Sequence, residues 1–334
     1  MKKSLRLFAC MLIATLLIGC GKTEGGNETV MAQKEEKKPG NNMKIIYVAT
    51  NQKTIYESDD LGTYEISYSL DKEGIVNRQN TFMAYKMEGE SKESSSETIY
   101  IVDYENILQY MDAGMEDDAK LAERYRAFIG KQKNLNENDS ITILSIDTNN
   151  KICRSIITSV KESWKDICAD GSHFDYSYNE VGKKIEYLGF IGGSIRTRTT
   201  YEYNAENKMT LLNMHDYITN RETKYELLYD SENRNSEAYY SVIDLDSGTT
   251  VRNHTQNMYN ENGKLEKSIA NDTELTIYKY DEDGKLKKTS SYNSEGTLVS
   301  ECIYTYEKIN MPAESVEFLC HLYDYVGIRY EILE

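Results

Sequence analysis

Hydrophobic positions fall into three regimes along these 334 residues. The first is an uncharged, mostly apolar run from Leu7 to Gly19. The second is strict alternation: Phe174/Tyr176/Tyr178, Tyr201/Tyr203, Tyr225/Leu227/Tyr229, Tyr278/Tyr280 and Cys302/Tyr304/Tyr306. A period of two puts these side chains on one face of a strand and sends the intervening Glu, Lys, Thr and Asp to the other. The third regime is helical. Between Asp103 and Gly130 the residues Ile107, Leu108, Met111, Met115, Leu121, Tyr125, Phe128 and Ile129 recur at three- and four-residue spacing. Asp103 caps this stretch, Gly114 interrupts it and Gly130 closes it, which predicts two short helices or one bent one. A further helix is expected over 159–168, with Val160, Trp164, Ile167 and Cys168 on one side. Glu88 to Glu97, rich in Ser, Glu and Lys, reads as a polar loop, and Ile45 to Val48 as a strand in a folded part that begins at Met43. After Pro312, Phe318, Leu319, Tyr323 and Tyr325 make a final unit apolar enough to dock as a cap.

The strands are punctuated by a recurring turn. Tyr280-Asp281-Glu282-Asp283-Gly284-Lys285-Leu286 has counterparts starting at Tyr178, Tyr203, Tyr229, Tyr259 and Tyr292. Each has Asp or Asn after the Tyr, two free positions, Gly or Asn, usually a basic residue (Thr297 after Gly296 is the exception), then often an apolar residue. Asp or Asn accepts backbone hydrogen bonds, and Gly or Asn three residues on takes the left-handed conformation. That geometry closes a hairpin through a type I turn and a one-residue bulge. Fainter copies start at Leu70 and Ile146, and Asp59-Asp60-Leu61-Gly62 keeps only the turn. The tyrosines lie 25, 26, 30, 21 and 12 residues apart, too irregular for a strict solenoid. The units resemble the YD repeats of Rhs and teneurin-type proteins over roughly residues 174–307. That resemblance implies antiparallel β-strips, often coiled into a shell. The chain departs from the family in its length, its frequent Asn in place of Gly, and its C-terminus, which has no toxin-like extension.

Composition fits such a sheet. Tyr supplies 28 residues against six Phe and one Trp, pairing a large buried ring with a hydroxyl that still finds a partner. The formal charge of −16 excludes nucleic acid as a partner held by long-range attraction. Candidate chemistry is sparse. The acidic pairs Asp59-Asp60, Asp117-Asp118, Asp244/Asp246 and Asp281/Asp283 fall mainly in turns. A calcium site could draw on the last two, although neither matches an EF-hand loop. The histidines, 173, 215, 254 and 321, are scattered, and Ile191-Gly192-Gly193-Ser194 reads as a turn rather than a nucleophile elbow. No catalytic, metal or cofactor residue is assigned. Cys153, Cys168, Cys302 and Cys320 allow three disulfide pairings, the local ones being 153–168 and 302–320, with free thiols as the other outcome.

The leader carries the sharpest single residue. Lys2, Lys3 and Arg6 precede the Leu7–Gly19 run, which is shorter than the ~20 residues a membrane span needs. It ends in Leu17-Ile18-Gly19-Cys20, which resembles the lipobox of bacterial lipoproteins. The resemblance implies cleavage after Gly19, lipidation of Cys20, export, and attachment to the membrane. Residues 20–42, with Pro39-Gly40 and the Lys34–Lys38 charge cluster, read as a tether. The expected organisation is a signal peptide over 1–19, this tether, an α+β region over 43–168, and a YD-like antiparallel region over 169–334. The fold expected is mainly β: Tyr-rich hairpins in an extended or curled sheet, with a small helical insertion in the N-terminal half. The function expected is non-enzymatic binding or scaffolding of an envelope polysaccharide or protein, with exposed Tyr as the contact. A glycan hydrolase, or a spacer or immunity-type partner, is the alternative.

Overall fold

The structure is a computed structural model that describes residues 43–333 apart from 59–60, 88–89, 114–118, 133 and 171. Cys20, the tether, Asp59-Asp60 and Asp117-Asp118 lie outside the described residues. The first strands are β1 (Met43–Ser58), β2 (Leu61–Leu70), β3 (Val76–Met87), β4 (Glu90–Asp103), β5 (Ser140–Ile146) and β6 (Ile152–Ser159). There follow β7 (Ser172–Tyr178), β8 (Lys184–Ile191), β9 (Ser194–Tyr203), β10 (Met209–Asp216), β11 (Arg221–Tyr229) and β12 (Asn235–Asp244). The last are β13 (Thr250–Tyr259), β14 (Leu265–Ala270), β15 (Glu274–Tyr280), β16 (Leu286–Tyr292), β17 (Leu298–Pro312) and β18 (Tyr330–Leu333).

Each strand from β1 to β17 pairs with the next, and β17 pairs back onto β1, so the sheet closes into a barrel of 17 staves. An odd ring cannot alternate in direction all the way round; one neighbouring pair must run parallel. That pair is β4–β5. A parallel pair needs a long crossover, and the crossover is the helical insertion: a 3-10 segment over Ile107–Ala113 and α1 (Ala119–Gly130). The Asp103 carboxylate starts it, accepting the Leu108 N–H at 3.0 Å and the Ser145 hydroxyl at 2.9 Å. The second predicted helix begins later than its pattern indicated. Ser159 still belongs to β6, and α2 runs Trp164–Asp170, opened by reciprocal Ser163–Asp166 hydrogen bonds. Residues 90–97, read as a loop, are strand. Their backbone pairs with β3 from Met87↔Glu90 to Asn80↔Glu97, so a hairpin arm polar on both faces persists without an apolar signature. The sheet runs on past residue 168, since β6 pairs with β7.

Alternate hairpins close at one rim, and there the turn chemistry is uniform. Gly74, Asn150, Gly182, Asn207, Asn233, Gly263 and Gly284 all have positive φ. The preceding Asp or Asn takes the backbone N–H four residues on, as in Asp281 Oδ1 with Lys285 at 2.8 Å. Neighbouring hairpins are joined by tyrosines. The hydroxyls of Tyr178, Tyr203, Tyr229, Tyr259 and Tyr280 donate to the carbonyls of Ile152, Lys184, Met209, Asn235 and Leu265 at 2.6–2.8 Å. Every donor is the last residue of a strand, and every acceptor is the first residue after the previous turn on that rim. The basic residue of one turn also covers the next turn's ring, as Arg234 does over Tyr259 at 4.7 Å.

Helix α3 (Ala313–Val326) and β18 enter this ring. Tyr323 donates to the Gly74 carbonyl between β2 and β3 at 2.7 Å, and the Tyr325 ring meets Tyr176 of β7 at 5.9 Å. Glu331 accepts the Leu286 N–H of β16 at 3.4 Å. A segment touching staves so far apart around a closed ring lies inside it. β1 bends to receive it. One edge of β1 is shared, Ile45–Val48 pairing with β18 and Asn51–Ser58 with β2, with a register shift between Ala49 and Asn51. The inner core joins Ile46, Val48, Val76 and Leu144 to Leu319, Leu322 and Tyr323. A second core lies outside, where Ile99, Ile101, Ile141, Ile143 and Ile156 face Leu121, Tyr125, Phe128, Trp164 and Ile167 of the helices.

Candidate ligand cavity beneath the C-terminal helix

The tyrosine rows face inward. Tyr176 opposes Tyr187, Tyr201 opposes Leu212, Tyr225 opposes Tyr240, and the strand pairing carries the same face round to Tyr278 and Tyr304. The rows are thus the sheet's own inner face, the reading that stands against Tyr exposed as a contact surface, and closure of the sheet makes that face concave. The outward face of the β8–β17 arc is charged instead, with the pairs Arg198–Glu186, Lys224–Glu222, Arg252–Glu226 and Lys288–Glu301. Lys or Arg on a lipid-facing barrel wall costs about 2–4 kcal/mol each at mid-membrane, so this arc is built to face water. Among the described residues no helix is long and apolar enough to cross a membrane.

Helix α3 ends at Gly327, whose φ of 74° lets Ile328 N–H bond back to the Tyr323 carbonyl at 2.9 Å and turns the chain into β18. Below that end, α3 leaves a cavity of about 380 Å³ against the inner wall of β3–β8. Tyr325 and Val326 form its roof; Tyr100, Phe174, Tyr176 and Tyr187 line its wall. Gln79, Thr98, Ser140 and Thr142 add polar groups, and Ile157, 47% exposed, stands where it opens. Ser155 Oγ lies 3.3 Å from the Tyr176 hydroxyl, and Tyr100 donates to Gln79 Oε1 at 2.7 Å. Burial pushes the phenols up, Tyr187 to about 12 and Tyr100, Tyr176 and Tyr325 above their usual value as well, so all four are neutral donors at physiological pH. No carboxylate, imidazole, thiol or basic group lines the cavity.

The other candidates are accounted for by local structure. Asp281 and Asp283 both reach the Lys285 ammonium, Asp244 accepts from Ser247 and approaches Arg221 of β11, and Asp246 accepts from Asn220, so the carboxylates of the proposed calcium turns already have partners in their own or the neighbouring turn. Among the described residues no three His, Cys, Asp or Glu gather as a metal site would require. His173 stacks on Phe190, His254 meets Glu237, and His321 on α3 meets Tyr178. No disulfide joins Cys153, Cys168, Cys302 and Cys320, so neither local bridge forms. Sequence reasoning reached Tyr176 but missed Gln79, Thr98, Ser140 and Thr142. The available signal was inner-face alternation with Tyr100, hidden because the first half of β4 read as a loop.

No protein-family model matches the chain, and no curated protein does either. Among solved structures, it is similar to a porin-like protein from Bacteroides uniformis, with 11% identity, 80% of this chain and 99% of that chain covered, and a TM-score of 0.44. It is also similar to part of a TcdB2-TccC3-Cdc42 structure, at 12% identity over 72% of this chain and 12% of that one, with a TM-score of 0.29. A protein of unknown function from Bacteroides fragilis shares 14% identity over 42% of this chain and 94% of that one, with a TM-score of 0.20. What the chain is, by its own coordinates, is a closed, mainly β barrel with a C-terminal segment inside.

Proposed function

We propose that this chain is an exported lipoprotein, anchored through Cys20, that binds a ligand without chemistry at the cell surface, its body a curled sheet of YD-type hairpin repeats. The observation that carries this reading is the cavity: it is aromatic, hydroxyl-edged and free of ionisable catalytic groups. A glycan hydrolase needs two carboxylates facing each other across the bond it cuts, and neither wall supplies one. The repeat reading rests on the Tyr-to-carbonyl links between successive turns, which use the first residue of the motif at each step. The anchor rests on the Leu17–Cys20 pattern, and the water-facing outer wall is consistent with a body held outside the bilayer. The partner is an envelope polysaccharide or protein. Binding of the full chain in mild detergent to fractionated cell envelope, with and without calcium, tests the reading. Saturable binding to one fraction, without turnover of it, is the expected result; release of soluble products would overturn it. For the anchor, Cys20→Ser should move the protein from the detergent phase to the aqueous phase, and retention in detergent would exclude lipid at this position.

A further inference from the structure

The inner wall holds a feature that no strand needs for its own pairing. Phe174 stands opposite Gly189 across the β7–β8 ladder. A Cβ on Gly189 would lie 3.2 Å from two Phe174 ring carbons and 2.5 Å from Thr197 Oγ1. Gly189 therefore lets the Phe174 ring lie down across the backbone, as an aromatic does over a strand glycine. Tyr187 stacks on Phe174 with an offset, the ring centroids 5.5 Å apart and the planes within 13° of parallel, and Tyr176 follows at 5.4 Å and 36°. The result is a slipped aromatic stack along one wall. Around it stand Thr98, Ser140, Thr142 and the Gln79 amide, whose oxygen is already taken by Tyr100.

From this arrangement, and resting on the binding reading above, we infer that the cavity takes a neutral saccharide of one or two rings. A pyranose offers a flat face of C–H groups and an edge of hydroxyls. The ring faces that the offset Phe174–Tyr187 stack leaves uncovered attract the first, and the Thr, Ser and Gln groups meet the second. A volume of about 380 Å³ lies within the roughly 300–1,000 Å³ common for small-ligand sites. Charge argues for neutrality. An anionic sugar would find no Lys or Arg lining the cavity, the nearby Lys184 ammonium lying over the Tyr176 and Tyr201 rings at 4.9 and 5.9 Å, and a net charge of −16 on the chain, while a cation would find no lining carboxylate.

The test is a saturation-transfer NMR titration of the full chain in detergent with cellobiose, maltose and N,N′-diacetylchitobiose, and with choline and inorganic phosphate as charged probes. At least one disaccharide should bind, and Phe174→Ala should weaken it tenfold or more. Gly189→Ala should weaken it too, by lifting the ring, while Tyr239→Ala on the outer wall should leave it unchanged. Far-UV circular dichroism identifies variants that fold. Phe174-dependent binding of choline or phosphate alone would overturn the saccharide assignment and leave a binding protein. Sugar binding indifferent to Phe174→Ala and Gly189→Ala in folded variants would overturn the site. No binding by any probe would also overturn it, and the envelope-fraction experiment then decides the broader reading independently.

Discussion

Two stretches of one barrel wall use the same backbone pairing and opposite side-chain economies. β5 lies between cores: Ile141 and Ile143 face the helices outside, Thr142 and Leu144 face the interior, and five successive residues are buried. β11, in the arc without helices, buries Thr223, Tyr225 and Leu227 and exposes Glu226 and Leu228. A strand covered on both faces reads as a continuous apolar run, and a strand covered on one face alternates. Stability is therefore concentrated differently. The β4–β6 wall depends on dense aliphatic and aromatic burial. The arc depends on many modest links: Tyr hydroxyls to carbonyls, each contributing about 1 kcal/mol net, and cations over rings.

Truncating one large buried side chain in each stretch separates the two kinds of wall. Trp164 is 2% exposed and packs 5.6 Å from Tyr125. Trp164→Ala should cost about 3–5 kcal/mol in urea unfolding. Tyr225→Ala, at 7% exposure on a one-sided strand, should cost about half as much. Equal losses would mean that the arc has a core as cooperative as the one beneath the helices.

The contrast also decides what could be read in the chain beforehand. The mainly β class was legible, because Tyr176/Tyr178 or Tyr225/Leu227 alternate and Asp281–Gly284 closes a turn for purely local reasons. The helical spacing of Leu121, Tyr125 and Phe128 marked α1 for the same reason. Closure of the ring was not legible. It depends on the β1–β17 ladder, which joins Met43 to Pro312 across nearly the whole chain. Nor was the parallel β4–β5 pair, since its first strand opens with Glu90-Ser91-Lys92-Glu93, residues that show no alternation. The cavity was half legible. Its aromatic wall lies on a visible Tyr row, but its roof comes from Tyr325 and its hydroxyls from β4 and β5, brought together only when the barrel closes.

A subtler probe sits in the repeated turns. Gly263 and Gly284 occupy equivalent positions, with φ of 72° and 81°. A Cβ on Gly263 meets nothing within 4 Å, whereas one on Gly284 collides with the Lys264 ammonium, which is bonded to the Gly284 carbonyl and lies over the Tyr280 ring. Gly263→Ala should cost only the left-handed strain, about 1 kcal/mol. Gly284→Ala should cost about 2 kcal/mol, because the cation–π contact is lost as well. Gly263→Asn should be close to neutral, as Asn207 and Asn233 already adopt this conformation. Equal costs for the two alanines, measured as shifts in urea midpoint, would mean that the Lys264 bridge contributes nothing to linking the hairpins.

The smallest effect expected is on acid stability, and it separates the charge of a turn residue from its geometry. Burial pushes the Asp281 carboxyl up, but the Lys285 backbone N–H and ammonium outweigh that and hold it below the ordinary carboxylate range. Asp230 is held low in the same way, burial opposed by the Arg234 N–H and guanidinium. A carboxylate depressed in the folded state contributes stability that is fully present above its unfolded value, near pH 4, and is lost as pH falls through the folded one. The melting temperature should therefore be insensitive to these groups from pH 8 to about 5 and decline below about pH 4. Asn179, Asn204 and Asn260 show that an amide accepts the same backbone hydrogen bonds at this position. Asp281→Asn should thus fold normally, lose a little stability at neutral pH with its Lys285 pair, and show a shallower decline in acid. An unchanged acid slope, with an unchanged neutral melting temperature, would mean that the turn draws only on the oxygen of this side chain and nothing on its charge.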